Sequence, residues 1–172
     1  MTGLPGLIGA EHVGLTVPDL EAAGRFLVDV LGAQRVFDGG TISDADTMVR
    51  VLGAMAGDSA RYAFFRLGTG LNLEVFEYQT ADQGTRPGNH QAGGHHIALY
   101  VTDIVPAVAH LREHGVAVDD PEFIRSGPAA GSHWVYFKSP WGLQMELVSY
   151  PCGKAYEAQS AVRLWHPGFP EK

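Results

Sequence analysis

Apolar and polar positions alternate strictly in several short stretches and recur at helical spacing in two others. Val13, Leu15 and Val17 alternate with Gly14 and Thr16, which is the period of a half-buried strand. Leu20, Ala23, Leu27 and Leu31 follow at helical spacing, with Asp19 placed to cap the start and Gly32 to stop the end. The second half repeats the order. Ile97, Leu99 and Val101 alternate, Asp103 caps, and Ile104, Ala107, Val108 and Leu111 form a helical stripe before Gly115. Pro106 falls in the first helical turn, where its missing N–H costs little. Short strands are expected near residues 34–37 and 116–118. Two hairpins are expected, 61–67 with 71–78 and 133–138 with 143–150, each around a Gly-containing turn.

The halves also match residue by residue. His12-Val-Gly-Leu-Thr-Val-Pro-Asp-Leu20 lies over His96-Ile-Ala-Leu-Tyr-Val-Thr-Asp-Ile104 at a spacing of 84, the difference between the two histidine numbers. Gly70-Leu-Asn-Leu-Glu-Val-Phe-Glu-Tyr78 lies over Gly142-Leu-Gln-Met-Glu-Leu-Val-Ser-Tyr150 at a spacing of 72, taken from Glu74 and Glu146. The spacing shrinks, so the first half carries extra residues, placed within 39–60. The reading is an α+β chain of two βαβββ modules, 1–78 and 95–150. Residues 79–94 form a linker rich in Gly, Pro, Asn and Gln, and 151–172 form a C-terminal tail.

Strand parity divides each module into two faces. The apolar face packs under the helix. His12, Gly14 and Thr16, with His96, Ala98 and Tyr100, occupy the other. Glu74 and Glu146 sit mid-strand in the last hairpins. Two imidazoles and two carboxylates suit one divalent ion, of the Zn, Ni, Co, Mn or Fe kind, held by His12, Glu74, His96 and Glu146. Gly14 and Ala98 leave room for a substrate beside those ligands. Tyr100, Trp134 and Tyr136 are candidate substrate contacts, with ordinary sheet packing the alternative for the last two. His95, on the opposite parity from His96, is expected to be partly buried and structural. Glu77 has Ser149 as its counterpart and is expected to be a surface charge.

This pattern resembles the vicinal oxygen chelate superfamily, which includes glyoxalase I, methylmalonyl-CoA epimerase, extradiol dioxygenases and fosfomycin or bleomycin resistance proteins. The likeness covers residues 11–151. It rests on His12-Val-Gly-Leu-Thr-Val with Asp19-Leu20, on His95-His96-Ile-Ala-Leu with Asp103-Ile104, and on Phe137-Lys-Ser-Pro-Trp-Gly-Leu-Gln-Met-Glu146. It implies a curved mixed sheet around a metal-binding cleft, with His12, Glu74, His96 and Glu146 as the ligand positions. Extradiol dioxygenases resemble a two-His, one-Glu site without a carboxylate at position 74. Four ligands therefore look more like a lyase, isomerase or epimerase that moves a proton beside a metal-bound carbonyl, with Glu74 or Glu146 as the base. The alternatives are a ring-cleaving dioxygenase and a drug-binding resistance protein without turnover.

The bulk numbers narrow the partners. A net charge of −7 and no basic stripe argue against nucleic acid or an anionic membrane, and no apolar run is long enough to span a bilayer. Residues 1–10 do not read as a signal peptide. A single cysteine, Cys152, excludes an intrachain disulfide and fits a reducing cytoplasm. A small-molecule substrate and a homodimer are expected, with the tail packing on the sheet or on the partner subunit. The 39–60 insertion is expected to form a short helix or ordered segment, with Asp44 or Asp46 as its cap and Met48, Val51, Leu52 and Met55 as its stripe. It serves either as a lid on the cleft or as a cover on the core.

Overall fold

The computed structural model describes residues 4–81 and 84–169. Contacts divide the chain into two compact units, Met1–Ala81 and Asp82–Lys172. In the first, strand β1 (His12–Thr16), helix α1 (Leu20–Arg25), β2 (Gln34–Ile42), β3 (Ser59–Leu67) and β4 (Leu71–Gln79) follow one another. They form a mixed sheet in the order β1-β4-β3-β2, with β1 parallel to β4. The second repeats this with β5 (His96–Tyr100), α2 (Ile104–Glu113), β6 (Glu122–Phe123), β7 (His133–Lys138) and β8 (Gln144–Ser149), in the order β5-β8-β7-β6. The βαβββ order and the α+β class are those read from the periodicity.

The caps are where the sequence puts them. Asp19 accepts a hydrogen bond from Ala22 N and Asp103 accepts one from Val105 N. Helix α1 runs on into a wider turn, Phe26–Val30, and ends at Gly32, whose φ of +73° a side chain would disfavour. Leu20, Ala23 and Leu27 are buried under the sheet with Leu15, Leu73 and Val75. In the second unit Ile104, Val108 and Leu111 are buried with Ile97, Met145 and Leu147.

Several expectations are corrected. Residues 116–118 do not form a strand: Val118 makes one isolated bridge to Phe137, and the outer strand shrinks to Glu122–Phe123. Pro121, which has no N–H to donate, stands between them. Strand β2 is longer than expected, with irregular pairing between Arg35 and Phe37 and between Asp38 and Gly40. In the insertion a helical turn forms at Thr47–Val51, and Asp44 accepts from Thr47 N. Of its stripe only Met48 is fully buried, while Val51 and Met55 are exposed. His95 is exposed as well.

The expectation for Glu77 is corrected too. It lies on the helix side of β4, buried, and accepts hydrogen bonds from Leu20 N at the start of α1 (2.8 Å), from Arg61 (2.7 Å) and from Gln79 (2.7 Å). Its counterpart Ser149 is buried too and donates to Thr102 O. The Leu20 N–H bond, reinforced by the Arg61 guanidinium, holds the Glu77 carboxyl below the usual carboxylate range despite burial. Its contribution to stability is therefore complete above the ordinary carboxylate pKa of about 4.3 and is lost as pH falls through the lowered folded value. We expect Glu77→Ala to cost about 2 kcal/mol at neutral pH. Thermal melts across pH check this, because the deficit should shrink at the acid end; a deficit constant down to low pH would refute the assignment.

Candidate metal and substrate site

On each sheet the face turned away from the helix carries one imidazole and one carboxylate. In the first unit His12 Nε2 lies 3.2 Å from Glu74 Oε2. In the second, His96 Nε2 lies 3.2 Å from Glu146 Oε2. The strand register produces both pairs. β1 and β4 align His12 with Asn72 and Gly14 with Glu74, while β5 and β8 align His96 with Gln144 and Ala98 with Glu146. Each His therefore reaches diagonally across a parallel pair to its Glu.

The other ring nitrogen is held in both units. His12 Nδ1 bonds the Glu11 carboxylate, which Asn72 Nδ2 also contacts at 3.1 Å. His96 Nδ1 lies 3.2 Å from Asn89 Oδ1. An oxygen on Nδ1 favours the tautomer whose Nε2 lone pair is free for a cation, the usual support behind a metal-binding histidine. Glu11 and Asn89 were missed in the sequence. Glu11 adjoins a candidate ligand and was a visible signal, whereas only folding brings Asn89 beside His96.

The electrostatics differ between the units. The Glu11 carboxylate, and to a lesser degree Glu74, raise the His12 pKa against desolvation. Burial pushes the Glu146 carboxyl above its usual range, against the pull of His96 and Lys154. Glu146 is also the less exposed of the two carboxylates, at 16% against 21% for Glu74. Among the described residues no three His, Cys, Asp or Glu side chains gather as a metal-holding group. Each unit by itself offers half of the expected ligand set.

The expected substrate contacts are on this face. Gly14 opens onto free space, since an added Cβ would meet nothing within 4 Å. Ala98 is exposed beside Glu146. Tyr136 pairs with Glu146 and packs edge-on against His96 at 5.4 Å, and Trp134 meets Tyr136 at 5.1 Å. Tyr100 contacts Tyr150 and, unexpectedly, His166 of the tail at 4.4 Å. His133 instead pairs with buried Ser149 on the other side and packs on Phe123. The first unit has its own aromatic wall. Phe64 pairs with Glu74 and lies edge-on to His12 at 5.5 Å, with Phe37 stacked on it and Tyr62 alongside. Sequence reading passed over Tyr62 and Phe64, although the 72-residue spacing maps them onto Trp134 and Tyr136.

A family model described as the Glyoxalase/Bleomycin resistance protein/Dioxygenase superfamily matches residues 11–137. The chain belongs to this superfamily. It is 45% identical over 170 residues to a 2-epi-5-epi-valiolone epimerase from Actinomyces sp, with 96% of this chain and 92% of that protein covered. Among solved structures it resembles a glyoxalase family protein from Bacillus cereus, with a TM-score of 0.68 at 17% identity over 86% of this chain and 98% of that one. It also resembles a variant of the fosfomycin resistance protein FosX from Listeria monocytogenes, complexed with Mn(II) and 1S,2S-dihydroxypropylphosphonic acid. That TM-score is 0.55 at 18% identity, over 90% and 99% of the two chains. The family model stops at residue 137, short of the tail. The epimerase match leaves out only 4% of the chain, about seven residues, so it must run into the tail. A glyoxalase-like enzyme with an epimerase relative is what these likenesses support.

Proposed function

We propose that the protein is a divalent-metal-dependent epimerase that inverts a carbon next to the carbonyl of a small hydroxylated ketone. The observation that carries this reading is the 45% identity, along nearly the whole chain, to an enzyme named as an epimerase of 2-epi-5-epi-valiolone, by its name a ketone. Inverting a carbon centre by proton transfer breaks its C–H bond, and this becomes feasible near neutral pH where the resulting negative charge spreads onto an adjacent carbonyl oxygen.

The donor chemistry fits a metal. Nε2 of His12 and His96 and the carboxylates of Glu74 and Glu146, one pair from each kind of unit, supply two nitrogens and two oxygens for one ion. When bound, such an ion acts as a Lewis acid on the carbonyl and lowers the cost of the developing charge. Glu146, the more buried carboxylate, takes the proton from carbon at its Oε atoms. Epimerisation must return a proton to the opposite face, and Glu74, its duplicate, is the acid that does so. The two exchange roles in the reverse direction. Gly14 and Ala98 give the substrate ring room, and the aromatic walls of Phe64, Trp134 and Tyr136 shield the exchange from bulk water.

The test is turnover of 2-epi-5-epi-valiolone in D₂O, under anaerobic conditions, by protein loaded with Zn²⁺. One deuterium should enter at the inverted carbon, at a rate within about three-fold of that in air. Activity that needs both O₂ and Fe²⁺ would overturn the reading in favour of ring-cleaving oxygenation.

A further inference from the structure

Helix α2 buries Ile104, Val108 and Leu111 against its sheet and leaves the opposite side to solvent. His110 and His114 both stand on that exposed side, one turn apart. Side chains four residues apart on a helix lie one above the other. Here the two imidazoles come together, with ring centres 4.2 Å apart and an angle of 39° between their planes. The pair belongs to the helix side of the second sheet, whereas His96 and Glu146 are on its other face.

That separation is close to what one shared cation demands. Two imidazoles bound to one ion through nitrogen, with bonds of about 2.1 Å meeting near a right angle, have ring centres roughly 4.5 Å apart. The tautomer is suitable as well. His114 Nδ1 lies 2.8 Å from His110 O, and a carbonyl only accepts, so the proton is on Nδ1 and the lone pair on Nε2. A ring that donates through one nitrogen and offers the other is the form in which histidine binds metals. The local field also favours a cation. His114 caps the C-terminus of α2, the negative end of the helix dipole. The neighbouring Arg112 guanidinium is turned to Asp120, at 2.8 Å, and to Val118 O, at 3.1 Å.

We propose that His110 and His114 form a second metal site, a surface chelate for a borderline divalent cation of the Cu²⁺, Ni²⁺ or Zn²⁺ kind. Two neutral nitrogens suit those ions better than Mg²⁺ or Ca²⁺, which take oxygen ligands. Water fills the remaining positions. With two protein donors instead of four, the site releases its ion more readily than the His12, Glu74, His96 and Glu146 set, and dialysis empties it first. An ion on α2 takes no part in proton transfer, so the inference is independent of the epimerase reading.

The test loads the enzyme with Zn²⁺, dialyses it, and titrates it with Cu²⁺, followed by calorimetry and by NMR. The proteins are the wild type, His110→Gln, His114→Asn and the double variant, and Mg²⁺ is the control cation. The wild type should take up one more Cu²⁺ per chain than the double variant, with paramagnetic broadening of the amides of residues 110–115. Each single substitution should weaken that uptake about 100-fold, because it turns a chelate into a lone imidazole. Melting, and turnover by the Zn²⁺-loaded proteins before any Cu²⁺ is added, should be unchanged. If His114→Asn lowers the melting temperature, since His114 caps the helix, His110→Gln carries the comparison. Equal Cu²⁺ uptake by the wild type and the variants, no broadening at residues 110–115, or equal affinity for Mg²⁺ would overturn the proposal.

Discussion

Glu146→Gln should abolish turnover, and His96→Ala should strip the metal. The Gln side chain keeps the shape of Glu146 but removes its charge and its ability to accept a proton, so a rate loss of about 10²–10⁴ is expected from the acid–base role alone. Loss of a negative ligand adds to this by weakening the hold on the cation. On the proposed reading His96 would supply the nitrogen donor of the second unit, and Asn89 holds its Nδ1. Replacing it by Ala leaves Glu146 without its partner. Metal analysis after dialysis, with turnover measured at saturating metal, separates the two effects. Glu146→Gln should remain slow even when refilled, whereas His96→Ala should bind little metal at all. Wild-type metal content in both variants would remove His96 and Glu146 from the ligand set.

Gly14→Leu should leave the fold and the metal intact and block the substrate. Nothing lies within 4 Å of where a Cβ would go, and Gly14 does not adopt a backbone conformation reserved for glycine. The new side chain would therefore stand in open space on the face that carries His12 and Glu74, without straining the sheet. Ala98→Leu is the matching change beside Glu146. A loss of about 100-fold in kcat/KM is expected for each, since small displacements of a bound substrate are that costly. Unchanged kcat/KM in both would move the substrate off this face, and loss of metal would mean that the space belongs to the ligands rather than to the substrate.

Much of this protein was legible without coordinates because strand parity and helix period are local properties. Val13, Leu15 and Val17 had to face one way, and His12, Gly14 and Thr16 the other, in any strand built from those residues. Duplication then placed His96 and Glu146 as copies of His12 and Glu74, and the structure brings each His within 3.2 Å of its Glu. Tyr62 and Phe64 were equally legible through the 72-residue spacing. What covers a face, however, is not a local property. Glu77 has the composition of a surface charge, yet Leu20 N, Arg61 and Gln79 converge on it and make burial tolerable. His95 has the parity of a core residue, yet it lies just before β5 and is exposed. The tail offered only apolar composition. Its placement against Tyr100 and Tyr150 depends on backbone bonds to residues 128 and 130, far away in the chain, and such long-range closure is decided only when the whole unit folds.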